Sequence, residues 1–87
     1  MSALAAECRR RRVESAILAT LRRYRRPMTG GELLFYGCPG VLAAERDAAL
    51  SELLARGLVL AGDRPYLQRG VPRIFRVYSL AKPGGTP

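Results

Sequence analysis

Ala49-Leu50-Ser51-Glu52-Leu53-Leu54-Ala55-Arg56-Gly57-Leu58-Val59 is the stretch on which the rest of the chain turns. Ala49, Leu50, Leu53 and Leu54 recur at helical spacing and share one side of a helix. Gly57 follows as a left-handed stop, and Leu58-Val59-Leu60 then reads as a strand. Upstream, the same helix extends back to about Val41 and ends at Arg56, with Leu42 also inward. It is preceded by a Cys38-Pro39-Gly40 turn in which Pro39 can open the helix. Downstream, Arg73-Ile74-Phe75-Arg76-Val77-Tyr78-Ser79-Leu80 is rich in β-branched and aromatic residues and predicts a second strand. Between the two strands, residues 62 to 72 read as a long connection bounded by Gly and Pro.

Two more helices precede this unit. The first is predicted from near Ser2 or Arg10 to about Tyr24, with Val13, Ile17, Leu21 and Tyr24 inward beside Ala16 and Thr20. The Thr20 hydroxyl is placed to bond a carbonyl one turn earlier. Leu4 and Cys8 project to nearly the opposite side of a continuous helix. Either the helix breaks in the Arg9 to Arg12 run, or these two residues touch a second subunit, or the segment is a frayed extension. Pro27 stops the first helix. Thr29-Gly30-Gly31-Glu32 then has the pattern of a capping box and starts a short second helix that carries Leu33, Leu34 and Tyr36 to Gly37. The organisation expected is a basic helical extension over 1–12, one domain over 13–81 and a disordered tail over 82–87.

Composition bounds the function. Eighty-seven residues support one small core, with no room for a second catalytic or sensing domain. A net charge of +8, with Arg far outnumbering Lys, points to a polyanionic partner. There is no His and there are two Cys, so a Cys/His zinc site is not available and no metal is expected. Cys38 reads as a small turn or core residue and Cys8 as a helix-surface thiol in a reducing compartment. No apolar signal core or membrane-length segment is present, so a cytoplasmic protein without membrane association is expected.

Three helices followed by a two-stranded hairpin resemble the winged helix-turn-helix regulators of bacteria and their phages, over roughly Val13 to Leu80. The best-matching piece is Leu50-x-x-Leu53-x-x-x-Gly57-Leu58-Val59, where the resemblance implies that two leucines seat the recognition helix and the glycine turns into the wing. Arg73 to Leu80 is similar to the returning wing strand. The implied fold is α+β, a small winged helix with three helices and a two-stranded wing. The implied partner is double-stranded DNA, and the implied role that of a small transcriptional or mobile-element regulator.

One feature departs from that family. Base edges in the major groove are read best by Arg, Lys, Asn and Gln, yet the outward positions of the third helix are Val41, Ala44, Glu45, Ala48, Ser51 and Glu52. Residues 37 to 57 carry a net charge of −1. Positive charge gathers elsewhere, at +6 over the first 26 residues and +4 over 58 to 82. DNA contact is therefore expected from wing residues Arg64, Arg69, Arg73 and Arg76, and from Arg22, Arg23, Arg25 and Arg26 on the flank. Arg46, one turn before Leu50, is expected to snorkel along the helix edge.

The alternative is a protein-interaction winged helix, an adaptor or an inhibitor of the anti-CRISPR type. It would present Ala44, Glu45, Ala48, Ser51 and Glu52 to a partner. Single-strand or RNA binding rests on Tyr66 beside Arg64 and Arg69 as a stacking platform. No nucleophile with a paired base and no phosphate loop is present, so no catalytic residue, enzyme activity or cofactor is expected. A homodimer would use the N-terminal extension.

Overall fold

The computed structural model describes residues 3 to 81. The Leu4 side chain and the tail over 82–87 lie outside the described residues. The chain runs α1 (Ala3–Tyr24), β1 (Met28–Thr29), α2 (Gly30–Gly37), α3 (Ala43–Ala55), β2 (Val59–Gln68) and β3 (Val71–Leu80). It is an α+β arrangement of three helices and a three-stranded antiparallel sheet in the order β1-β3-β2.

α1 continues unbroken through the arginine run. It contains no Gly or Pro, and Arg, Leu, Ala and Glu favour helix. Two one-turn ion pairs, Glu7–Arg11 at 3.1 Å and Arg10–Glu14 at 3.6 Å, brace its N-terminal half. Val13, Ile17 and Leu21 are buried, and the Thr20 hydroxyl donates to the Ala16 carbonyl at 2.7 Å as expected. The helix ends with Arg25 in the left-handed region at φ 52°, its N–H returning to Leu21 O at 3.0 Å.

Met28–Thr29 then forms a strand that the sequence did not announce, pairing Met28 with Tyr78 and Thr29 with Val77. Two residues are too few for a period-2 signal, yet Met28 is fully buried. Thr29 doubles as the cap of α2, in which Glu32 N–H donates to its hydroxyl at 3.2 Å and Glu32 accepts from its N–H at 2.9 Å. The reciprocal box read from the sequence is therefore present.

The entry to α3 departs from expectation. Pro39 does not open the helix. It lies in a turn closed by Val41 N–H to Cys38 O at 3.1 Å, and Gly40 at φ 88° turns the chain away. Leu42 is the extended N-cap rather than a helical residue, so helical phase does not carry it inward, and it is 68% exposed. The other end follows the sequence. Gly57 at φ 73° sends its N–H to Leu54 O, and Leu58 N–H reaches Leu53 O at 3.0 Å, a complete Schellman stop. Ala49, Leu50 and Leu53 join Val13, Ile17, Leu21, Met28, Leu33, Cys38 and Val59 in one core, with Leu54 packed at its edge.

The connection expected over 62–72 is not a loop. β2 and β3 stay in register from Val59↔Leu80 to Gln68↔Val71, leaving Arg69 (φ 53°) and Gly70 (φ 80°) as a two-residue turn. Positive φ at both positions is the type I′ geometry that matches strand twist. Gly62, Pro65 and Pro72 read as turn residues, but the register makes the prolines harmless. Gln68↔Val71 closes the turn as a hydrogen-bonded pair, so Leu67↔Pro72 and Pro65↔Ile74 fall at non-hydrogen-bonded positions. A proline there sacrifices no ladder bond. Only the base of this hairpin reaches the core, through Val59, with Tyr78 and Leu80 packed against it.

Candidate nucleic-acid interface

Ion pairing divides the arginines into two populations. Arg9 meets Glu45 at 3.8 Å, Arg10 and Arg56 converge on Glu14, Arg11 holds Glu7, Arg26 holds Glu32 at 3.0 Å, Arg46 holds Asp47 at 2.9 Å, and Arg56 also approaches Glu52 at 3.7 Å. Six of the seven acids are thereby occupied. The seventh, Asp63, stands across the ladder from Arg76. Arg12, Arg22, Arg23, Arg25, Arg64, Arg69, Arg73 and Arg76 form no ion pair among the described residues. Apart from Arg12, all of these lie at the C-terminal end of α1 or on the hairpin.

The division alters the expected site. Arg26 is committed to Glu32 and to the Pro27 carbonyl. That hydrogen bond raises the Arg26 pKa, while the Thr29 backbone N–H, helped by Arg26, holds the Glu32 carboxyl below its ordinary range. Arg22 and Arg25 are left to line a surface cleft with Arg26, Pro27 and Ser79, floored by Leu21 and Leu80. Arg23 lies over the Tyr24 ring at 5.8 Å. Tyr24, Tyr36 and Phe35 form a chain of ring contacts at 5.2 and 5.0 Å, and Phe35 is 76% exposed.

On the hairpin, the register separates the four expected arginines. Arg64 lies opposite Phe75 and Tyr66 opposite Arg73, so these four side chains share one face. Tyr66 and Phe75 meet edge to face at 5.8 Å across it. Arg76 is on the other face with Asp63, and Arg69 is at the tip. Spacing alone does not reveal the Tyr66–Phe75 contact, which depends on the ladder register of the hairpin's outer half.

The two described non-glycine residues at positive φ are Arg25 and Arg69. Glycine or asparagine would sit there at lower cost. Each is an unpaired arginine, and each belongs to one of the two basic clusters. Unfavourable backbone conformations retained in this way concentrate at functional positions.

The third-helix residues are placed differently from a free reading face. Glu45 and Ala48 line a groove with Ala6, Arg9 and Arg10 of α1, so the N-terminal half of α1 lies alongside them. Glu45 also accepts from the Leu42 N–H at 3.3 Å. Ala44 and Ser51 are exposed, and Glu52 is paired with Arg56. Arg46 is mostly enclosed, its guanidinium about 3.1 Å from where a Cβ on Gly30 would stand. It packs over the start of α2 while pairing with Asp47 of its own helix.

Glu14, a buried acid on α1, is held by Arg56 at 2.8 Å from the end of α3. Cys38 is buried, which pushes its thiol pKa up, and Cys8 is exposed. Among the described residues no group of three or more His, Cys, Asp or Glu could hold a metal, and no helix is long and apolar enough to cross a membrane. No protein-family model, curated protein or solved structure matches this chain.

Proposed function

We propose that this chain is a winged-helix protein that binds double-stranded DNA, in the role of a small transcriptional or mobile-element regulator. It grips phosphate with Arg22 and Arg25 at the end of α1 and with Arg64, Arg69 and Arg73 on the β2–β3 wing. The observation that carries this reading is the segregation of charge. Arginines near carboxylates are spent on internal pairs, and those that form no ion pair among the described residues, Arg12 apart, gather on the wing and the adjoining helix end. An unpaired arginine keeps its full charge for a phosphate. Arg25 and Arg69 hold that charge in conformations that disfavour arginine, which supports a role beyond the fold. α3 contributes shape, since its acids are neutralised in place and it offers Ser51 as its main polar contact. Binding of this kind depends steeply on salt and discriminates bases weakly.

Fluorescence anisotropy against an unrelated duplex and against the chain's own upstream region, over a salt series, tests the reading. Submicromolar affinity with a steep salt slope supports it, and preference for the upstream duplex supports a regulator. Absence of binding at low salt refutes it. The second reading, a protein-docking adaptor or inhibitor, is favoured by the exposed Phe35 beside Tyr36 and Tyr24. Aromatic anchors of this kind are typical of binding hot spots. Loss of function in Phe35→Ala with DNA affinity intact would select it.

A further inference from the structure

The outer half of the hairpin has two unlike faces. On one, Arg64, Tyr66 and Gln68 stand opposite Phe75, Arg73 and Val71. On the other, Pro65 stands opposite Ile74 and Leu67 opposite Pro72. This second face continues the core-facing side of the sheet beyond the core, and in its outer half it bears no polar side chain. Leu67 is 75% exposed and Ile74 69%. Both pairs occupy non-hydrogen-bonded positions, where facing side chains stand closest, so the four groups form one contiguous apolar patch.

We infer that this patch is a wedge that enters and widens the minor groove, so that the protein bends the duplex it binds. The inference rests on the DNA-binding reading above. The setting of the patch identifies its occupant. Among the described residues, Arg69 at the tip and Arg64 and Arg73 on the reverse face form no ion pair, and the next pair on the apolar face, Asp63 and Arg76, cancels in charge, so the wing's positive charge stands at its tip and behind the apolar face. Two copies meeting through this face would leave those arginines without counter-charge, whereas a polyanion straddling the wing meets them. Addition of a partner strand is opposed by the prolines at 65 and 72, which offer no N–H on the ribbon edges.

Dimensions then require deformation of the DNA. Neighbouring strands lie about 4.8 Å apart before side chains are added, and the minor groove of B-DNA is only about 6 Å wide. The patch can be removed from water only if the groove opens. Leu, Ile and Pro are the side-chain types that unstack base steps when flanked by arginine. Flexible TA and CA steps yield at lower cost than stiff A-tracts. The duplex that binds tightest is therefore the more deformable one.

The test is end-to-end energy transfer on a doubly labelled duplex of about 30 base pairs, with central TA steps or a central A-tract. Wild type is compared with the Leu67→Ser/Ile74→Ser double variant, both changes being on exposed side chains. Anisotropy on the same samples reads affinity and salt slope. Wild type should shorten the end-to-end distance and favour the TA duplex by about tenfold. The double variant should keep the salt slope and lose both effects. Binding by wild type without shortening, or equal shortening by the double variant, overturns the wedge and leaves the DNA reading intact. No salt-dependent binding of either duplex overturns the DNA reading itself, and the wedge with it. A wild-type dimer in sedimentation that the double variant dissociates assigns the patch to a second copy and also overturns the wedge.

Discussion

Replacing Gly37 with Ala should unfold this protein more readily, through a single steric conflict between α1 and α2. A Cβ at Gly37 would overlap Thr20 Oγ1 and stand 3.0 Å from Thr20 Cβ and 3.3 Å from its Cγ2. Thr20 cannot yield easily. It is β-branched, lies within the last turns of α1, is 6% exposed and anchors its hydroxyl on Ala16 O at 2.7 Å. Rotating the hydroxyl away forfeits a hydrogen bond worth about 1 kcal/mol, and pushing the helices apart costs about 1–3 kcal/mol as overpacking does generally. The helix preference of Ala over Gly returns less than about 1 kcal/mol at this last position of α2.

The net loss expected for Gly37→Ala is about 2 kcal/mol, which for a domain of this size lowers the Tm by roughly 10 °C. Urea and thermal unfolding followed by circular dichroism measure it. A double-mutant cycle with Thr20→Ala, which removes both the hydroxyl and the methyl, should recover about 1 kcal/mol or more of the penalty. Stability within about 0.5 kcal/mol of wild type, or strict additivity in the cycle, would refute the contact.

Three further outcomes follow from the charges and the backbone. The folded state holds Glu32 below its ordinary value of 4.5, so its stabilising effect is complete above that pH and is lost as pH falls through the lower folded value. Urea midpoints should therefore decline on acidification below about pH 4.5, and decline less in Glu32→Gln. Arg69→Asn relieves a positive-φ arginine before Gly70 and should raise stability by about 0.5–1 kcal/mol while weakening DNA binding, so equal or lower stability would argue against strain. Removing Arg64 and Arg73 together should reduce the salt slope of DNA binding by about 2, as should removing Arg22 and Arg25. The equally charge-changing loss of Arg10 and Arg11, which are paired to Glu14 and Glu7, should leave it nearly unchanged.

Local interactions made much of the fold legible. The capping box of Thr29 and Glu32, the Gly57 stop, the Thr20 back-bond and the Val13-Ile17-Leu21 stripe are each built from steps of three to five positions along the chain, so spacing alone reveals them. Several features escaped, among them the exposure of Tyr24, which helical spacing places inward. Met28–Thr29 is too short to carry a period. Leu42 falls in helical phase by spacing, yet the Gly40 turn delays the helix and leaves it as the N-cap. The hairpin itself is legible, but its outer half over 62–72 reads as a connection because Gly and Pro normally punctuate, and only the ladder shows that both prolines occupy positions that donate nothing to it.

The amino-acid sequence alone carried the α+β content, the helix ends other than the start of α3, most of the core and the excess of positive charge, because propensity, capping and periodicity act over a few residues. Tertiary structure alone decided which of that charge is available. Glu14 meets Arg56 and Glu45 meets Arg9 across α1 and α3, and the hairpin register sorts Arg64 and Arg73 from Arg76 and collects the apolar wing residues on one face. An ion pair depends on distance in space, and the facing of a strand residue depends on which partner it opposes. Neither quantity exists until the helices have packed and the Arg69-Gly70 turn has set the register.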